Sequence, residues 1–173
     1  KMEMDLEEIK NNNNNLEFML KAVKEKGKNL ELASEEIKNN KEVVIEALKQ
    51  DGESLEFASD KLKGDKEIID LAIETAPWTI CYASEKLRND KELMLKSCEK
   101  YGQALYYASE DLRDDYDTVK AAVANKGIII KYASYNLRNN KEIAEIAIKQ
   151  DKRAYNFITE ELQQDEEIKK LIE

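Results

Sequence analysis

Histidine is absent from the 173 residues, cysteine occurs twice and proline once, and each scarcity narrows the function. Without histidine the chain lacks the commonest general base and the commonest transition-metal ligand. Cys81 and Cys98 stand alone, in no C-x-x-C pairing, too few to complete a zinc set, and read as reduced structural thiols. No apolar run approaches the ~18 residues that cross a bilayer. The first residues carry no apolar secretory core. With a single proline, five glycines and 42% hydrophobic residues, helices around a continuous core are expected. The 37 acidic and 28 basic residues leave a net charge of −9, which disfavours nucleic acid and anionic membrane as partners at long range.

What is present is a period. Alanine recurs at Ala33, Ala58, Ala83, Ala108 and Ala133, each time followed by serine, and Ile158-Thr159 is a divergent sixth copy. An invariant 25-residue spacing is the mark of a solenoid, in which no unit buries its apolar face alone. The reading divides the chain into a partial leading helix and Asn-rich turn over 1–15, and six repeats at 16–40, 41–65, 66–90, 91–115, 116–140 and 141–165. Residues 166–173 begin a seventh repeat or form a cap. Lys1 is no natural start, so a segment of a longer polypeptide is expected.

Each repeat reads as two helices. In the first, Val43, Val44, Ala47 and Leu48 form one stripe, matched by Ile68, Ile69, Ala72 and Ile73 a period later. It opens on a capping-box-like Asn39 to Glu42 and is expected to stop at a left-handed glycine, at Gly27, Gly52, Gly102 and Gly127. Proline replaces that glycine at Pro77, which predicts a local change of geometry. The second helix buries Leu55, Ala58 and Leu62, its alanine setting how closely neighbours pack. The row Lys38, Lys63, Arg88, Arg113 and Arg138 suits the negative end of a helix dipole. A phosphate-binding ridge with Lys41, Lys66, Lys91 and Lys141 is the weaker reading, since Glu42, Glu67, Glu92 and Glu142 interleave.

The run Asp-Lys-Glu, two aliphatics, Ala, Gly, Leu-x-Tyr-Ala-Ser-x-x-Leu-Arg-Asn-Asp, clearest from Asp65 through Asp115 and again from Tyr132 to Lys141, resembles a family of short helical repeats of unknown function. That family occurs in tandem in bacteria living inside host cells, including candidate secreted effectors of the Legionella group, and in some protists. The resemblance covers Leu16 to Asp165 and implies an α-solenoid with a protein-interaction role and no catalytic residues. It also implies a cytoplasmic location or, for an effector, the host cytosol.

Uniform repeats leave no long loop on which catalytic groups could gather, and carboxylates recur as surface rows. The expectation is therefore an all-α solenoid that is no enzyme, needs no cofactor or metal, and binds a protein or peptide. Its information lies where copies differ. Away from the core stripe, the early copies carry Lys28, Glu31, Glu53 and Glu56, whereas the middle copies carry an aromatic patch. The candidate partner-binding residues are Trp78, Tyr82, Tyr106, Tyr107, Ile128 and Tyr132. A basic peptide is the expected ligand, steered by Glu85, Glu110 and the net charge. Two competing readings remain. The residue before each alanine is always apolar or aromatic, as packing between repeats would require, and the whole segment could be a passive spacer or targeting arm for a catalytic domain elsewhere.

Overall fold

The computed structural model describes residues 3–173, so the first two residues of the leading segment lie outside the described residues. All regular structure among the described residues is helical. The chain forms two compact units, Lys1–Leu87 and Arg88–Glu173, each an α-solenoid stack of 25-residue copies. In the first unit the long helices Leu16–Glu25, Lys41–Gln50 and Lys66–Thr75 pack in sequence. In the second, Lys91–Lys100, Tyr116–Asn125, Lys141–Gln150 and the shorter Glu166–Leu171 do the same. The expected stripe is the core: Val43, Val44, Ala47 and Leu48, like Ile68, Ile69, Ala72 and Ile73, are all buried.

The start of each long helix lies one residue later than the pattern suggested. Asn40, not Asn39, is the N-cap, its Oδ1 accepting from the Val43 N–H at 3.1 Å, and Asp65, Asp90, Asp115 and Asn140 cap in the same way. Lysine at the first helical position reaches the next copy: Lys41 Nζ lies 3.0 Å from Asp65 and 2.9 Å from Glu67. Lys91 meets Asp115 and Asp117, and Lys141 meets Asp165 and Glu167, in the same arrangement. Neighbouring carboxylates thus hold three lysines of the supposed phosphate ridge. At such exposed sites each pair contributes little stability.

The second helix is divided. Gly52–Phe57 is a 3-10 helix, Ala58 and Ser59 are extended, and Asp60–Lys63 is a single α-turn. The same three pieces recur as Gly102–Tyr107 with Glu110–Arg113 and as Gly127–Tyr132 with Tyr135–Arg138. A three-residue period explains the break: Gly52, Leu55 and Ala58 fall at i, i+3, i+6, the repeat of a 3-10 helix, and all are buried. Alanine therefore does not set an axis-to-axis distance between helices. It lies in the extended link, with its N–H on Leu55 O at 3.1 Å, and Ile158 fills the same place in the last copy while remaining buried.

Glycine also acts differently from a left-handed stop. None of the glycines has positive φ, and each long helix that runs into a glycine ends on an extended residue, as Asp51 at φ −158° before Gly52. The requirement is close approach. A Cβ on Gly27 would fall 2.5 Å from Ala47 O in the next long helix, one on Gly52 2.8 Å from Ala72 O, and one on Gly102 2.5 Å from Ala122 O. Proline does not distort its copy. Pro77–Tyr82 is again a six-residue 3-10 helix, and the visible change is at Ala76, at φ −131° and ψ 72° where Asp51 has −158° and 109°.

Serine does the most between copies. Ser59 donates its N–H to Lys38 O at 3.0 Å and its hydroxyl to Asn39 Oδ1 at 2.7 Å, and its Oγ accepts from Leu62 N–H at 3.2 Å as the N-cap of the short helix. The hydroxyl bond recurs as Ser34 to Asn14, Ser109 to Asn89, Ser134 to Asp114 and Thr159 to Asn139, at 2.5 to 2.6 Å. Threonine therefore keeps the last copy in register, because the hydroxyl survives. At the remaining place Gly64 faces Ser84 and has no side chain to accept from it.

Two stability outcomes follow. Ser59→Ala should cost about 2 kcal/mol in denaturant unfolding, having lost a cap and an inter-repeat bond, and Ser59→Thr should cost little. Gly64→Asn should gain about 1 kcal/mol, because φ is −98°, a Cβ there meets nothing nearer than 3.4 Å, and the amide supplies the missing acceptor.

Candidate interaction groove

The 3-10 helices carry the candidate residues, and their geometry sorts core from surface. In the four copies from Gly52 to Tyr132 the first, third and fourth residues face inward, as Gly102, Ala104 and Leu105 do. The third position was missed in the sequence because it is Asn29, Ser54, Thr79, Ala104, Ile129 or Ala154, with no consistent polarity, yet all but the half-buried Asn29 are buried. The second and fifth residues face out. These are Trp78 and Cys81, Gln103 and Tyr106, Ile128 and Lys131.

Between inside and outside lies the residue before alanine. Leu32, Phe57, Tyr82, Tyr107, Tyr132 and Phe157 are all half-buried. Within each unit the 3-10 helices that carry them pack in sequence, and each of these residues keeps part of its surface in solvent.

In the first unit, Trp78 is exposed and Tyr82 is half-buried, with Lys63 Nζ 5.6 Å from the Tyr82 ring centre. The second unit brings the other four candidates together. Tyr106, 50% exposed, stands edge-on to Tyr107 and to Tyr132, each at 5.0 Å between ring centres, with interplanar angles of 87° and 76°. Both are the edge-to-face arrangement favoured by the ring quadrupoles. Tyr106, Tyr107, Ile128 and Tyr132 line one open groove of about 510 Å³, together with Tyr101, Gln103, Ile129, Lys126, Lys131 and Arg153.

The acidic rim lies elsewhere. Glu85 belongs to the first unit, and Glu110 lines a separate depression with Arg113, Asp114, Tyr132 and Tyr135. The groove's own charges are Lys126, Lys131 and Arg153. Lys131 Nζ rests 5.1 Å from the Tyr132 ring centre and 5.7 Å from that of Phe157, and Arg153 grips Asp151 at 2.7 Å. The Arg153 guanidinium, with help from the charge of Lys126, holds the Asp151 carboxyl below the usual carboxylate range. Of the patch expected from sequence, Tyr106, Tyr107, Ile128 and Tyr132 thus share one groove, Trp78 and Tyr82 do not line it, and the groove's charge has the opposite sign.

The basic row after each copy has structural work. Arg88 donates to Tyr107 O at 3.2 Å and Arg138 to Phe157 O at 3.3 Å, each closing the carbonyl end of the next copy's 3-10 helix. Arg113 turns back to its own copy, to Ala108 O and Tyr106 O. It thereby fixes the backbone beneath the central tyrosine.

Fold and groove define a tandem α-helical repeat protein. The chain belongs to the family described as domain of unknown function DUF4116, whose model matches three times in succession, over residues 15–63, 65–113 and 115–163. Each match takes in two of the 25-residue copies. Comparison with curated proteins and with solved structures found no match. No helix among the described residues is long and apolar enough to cross a membrane.

Of the two thiols, Cys81 is half-buried and Cys98 fully buried in the aliphatic position that Leu48, Ile73, Val123 and Ile148 fill in other copies. Burial, with the nearby Glu99 charge, pushes the Cys98 thiol up to about 12. Its thiolate forms more readily in the unfolded chain. Its contribution to stability is therefore intact below the unfolded thiol pKa of about 9 and falls as pH rises from there towards 12. In a thiol-labelling assay at mild alkaline pH, Cys98 should react only as fast as the chain unfolds. Cys98→Val should fold and show a shallower loss of stability between pH 9 and pH 11.

Proposed function

We propose that the chain is a non-catalytic protein- or peptide-binding module, and that it serves a larger effector-like protein of an intracellular bacterium, acting in the cytoplasm or the host cytosol. The observation that carries the binding reading is Tyr106, half in solvent and braced edge-on by two further tyrosines inside a groove. Rigid aromatic side chains lose little conformational entropy on binding and dominate interface hot spots. A scaffold does not need Tyr106, because Glu31 and Glu56 occupy its place in other copies and are exposed. Passive spacing is the rival.

Selection from a random peptide display library separates the two. The binding reading expects enrichment on the wild-type chain and at least about tenfold poorer retention on the Tyr106→Ala, Tyr132→Ala double variant, with helicity unchanged. No enrichment, or enrichment indifferent to both tyrosines, would leave the spacer standing.

A further inference from the structure

The binding reading leaves the ligand's chemistry open, and the groove's charges address it. Lys126, Lys131 and Arg153 line it, and no carboxylate does. Asp151 offsets Arg153, so a surplus of two positive charges surrounds a floor of tyrosine and isoleucine. This reverses the sign of the chain as a whole, −9. At physiological ionic strength charges are screened over about 8 Å, so a docked ligand responds to the three cations at the groove rather than to distant carboxylates. Lys131 is also held over two rings, which places its ammonium beside the apolar floor.

Resting on the binding reading, we infer that the groove accepts an acidic peptide segment, in which an aromatic or aliphatic side chain packs on Tyr106, Tyr132 and Ile128 while flanking carboxylates pair with Lys126 and Lys131. Arg153 gives its Nε and Nη2 edge to Asp151 in a two-pronged grip, which leaves Lys126 and Lys131 as the cations that face a ligand. An acidic segment fits better than a nucleic acid strand, although aromatics with cations can serve either. A phosphate backbone leaving the groove across Tyr132 would enter the depression that carries Glu110 and Asp114. A short peptide can end before it.

Fluorescence anisotropy on the full chain tests this with three dye-labelled peptides that share one Leu-Phe core and differ in flanks of glutamate, serine or lysine, beside a labelled oligothymidine. The glutamate peptide should bind tightest, lose affinity at least about tenfold on Lys126→Glu with Lys131→Glu, and weaken as salt rises. The reversed variant should then favour the lysine peptide. Equal binding of all three peptides, abolished by Tyr106→Ala with Tyr132→Ala, would overturn the acidic assignment and leave the groove as a docking site. Preference for the lysine peptide, preference for the oligothymidine, or no binding by any probe would also overturn it. Circular dichroism of each variant guards against loss of fold, and all the substituted groove cations are on the surface rather than in the core.

Discussion

One hydroxyl fixes a copy to the copy before it at every junction except that of Ser84 with Gly64, where the backbone bond from Ser84 N–H to Lys63 O stands alone. Ser134 shows the device whole: its N–H bonds Arg113 O at 2.9 Å, its Oγ–H bonds Asp114 at 2.6 Å, and its Oγ receives the Leu137 N–H at 3.2 Å. Two of these bonds cross between copies and one starts a helix. Apolar packing supplies most of the driving force for stacking, but it is non-directional and tolerates sliding. A short directional bond at a fixed place in five of the six copies sets the register. Insertion or deletion within a copy would separate serine from its partner twenty residues earlier, which accounts physically for the constant 25-residue spacing.

A lattice fixed in this way confines variation to positions it does not use. On the 3-10 helices from Gly52 to Tyr132 the first, third and fourth residues are committed to the core, and close approach at the first excludes any Cβ where Gly27, Gly52 and Gly102 stand. The second and fifth are free. In the second unit that freedom holds Tyr106, Ile128 and Lys131, and the half-buried Tyr107 and Tyr132 add their exposed edges. The groove is thus a product of substitution on constant backbone, with no loop built for it.

Much of this was legible in the sequence. The fold class, the long-helix stripe and the tyrosines that meet at Tyr106 follow from periodicity and from the differences between copies. The 3-10 break did not emerge because Leu55, Ala58 and Leu62 also satisfy α-helical spacing, although Gly52, Leu55 and Ala58 repeat every third residue. Glycine was ambiguous for a related reason, since helix termination and close approach select the same residue. Asn39 and Asn40 are adjacent and chemically identical, so composition alone could not assign one to the next copy's serine and the other to the helix cap. The groove's charge depended on Lys126 and Arg153, which lie outside the face inferred from helical spacing or come from the copy beyond, and only folding brings them beside the tyrosines.

The central claim is that hydroxyl bonding between copies sets their register. A double-mutant cycle on Ser134→Ala and Asp114→Ala, read by denaturant unfolding, isolates that bond from the separate loss of the helix cap. A coupling of about 1 to 2 kcal/mol is the predicted result for a hydroxyl bonded to a carboxylate. Strict additivity of the two substitutions would contradict it.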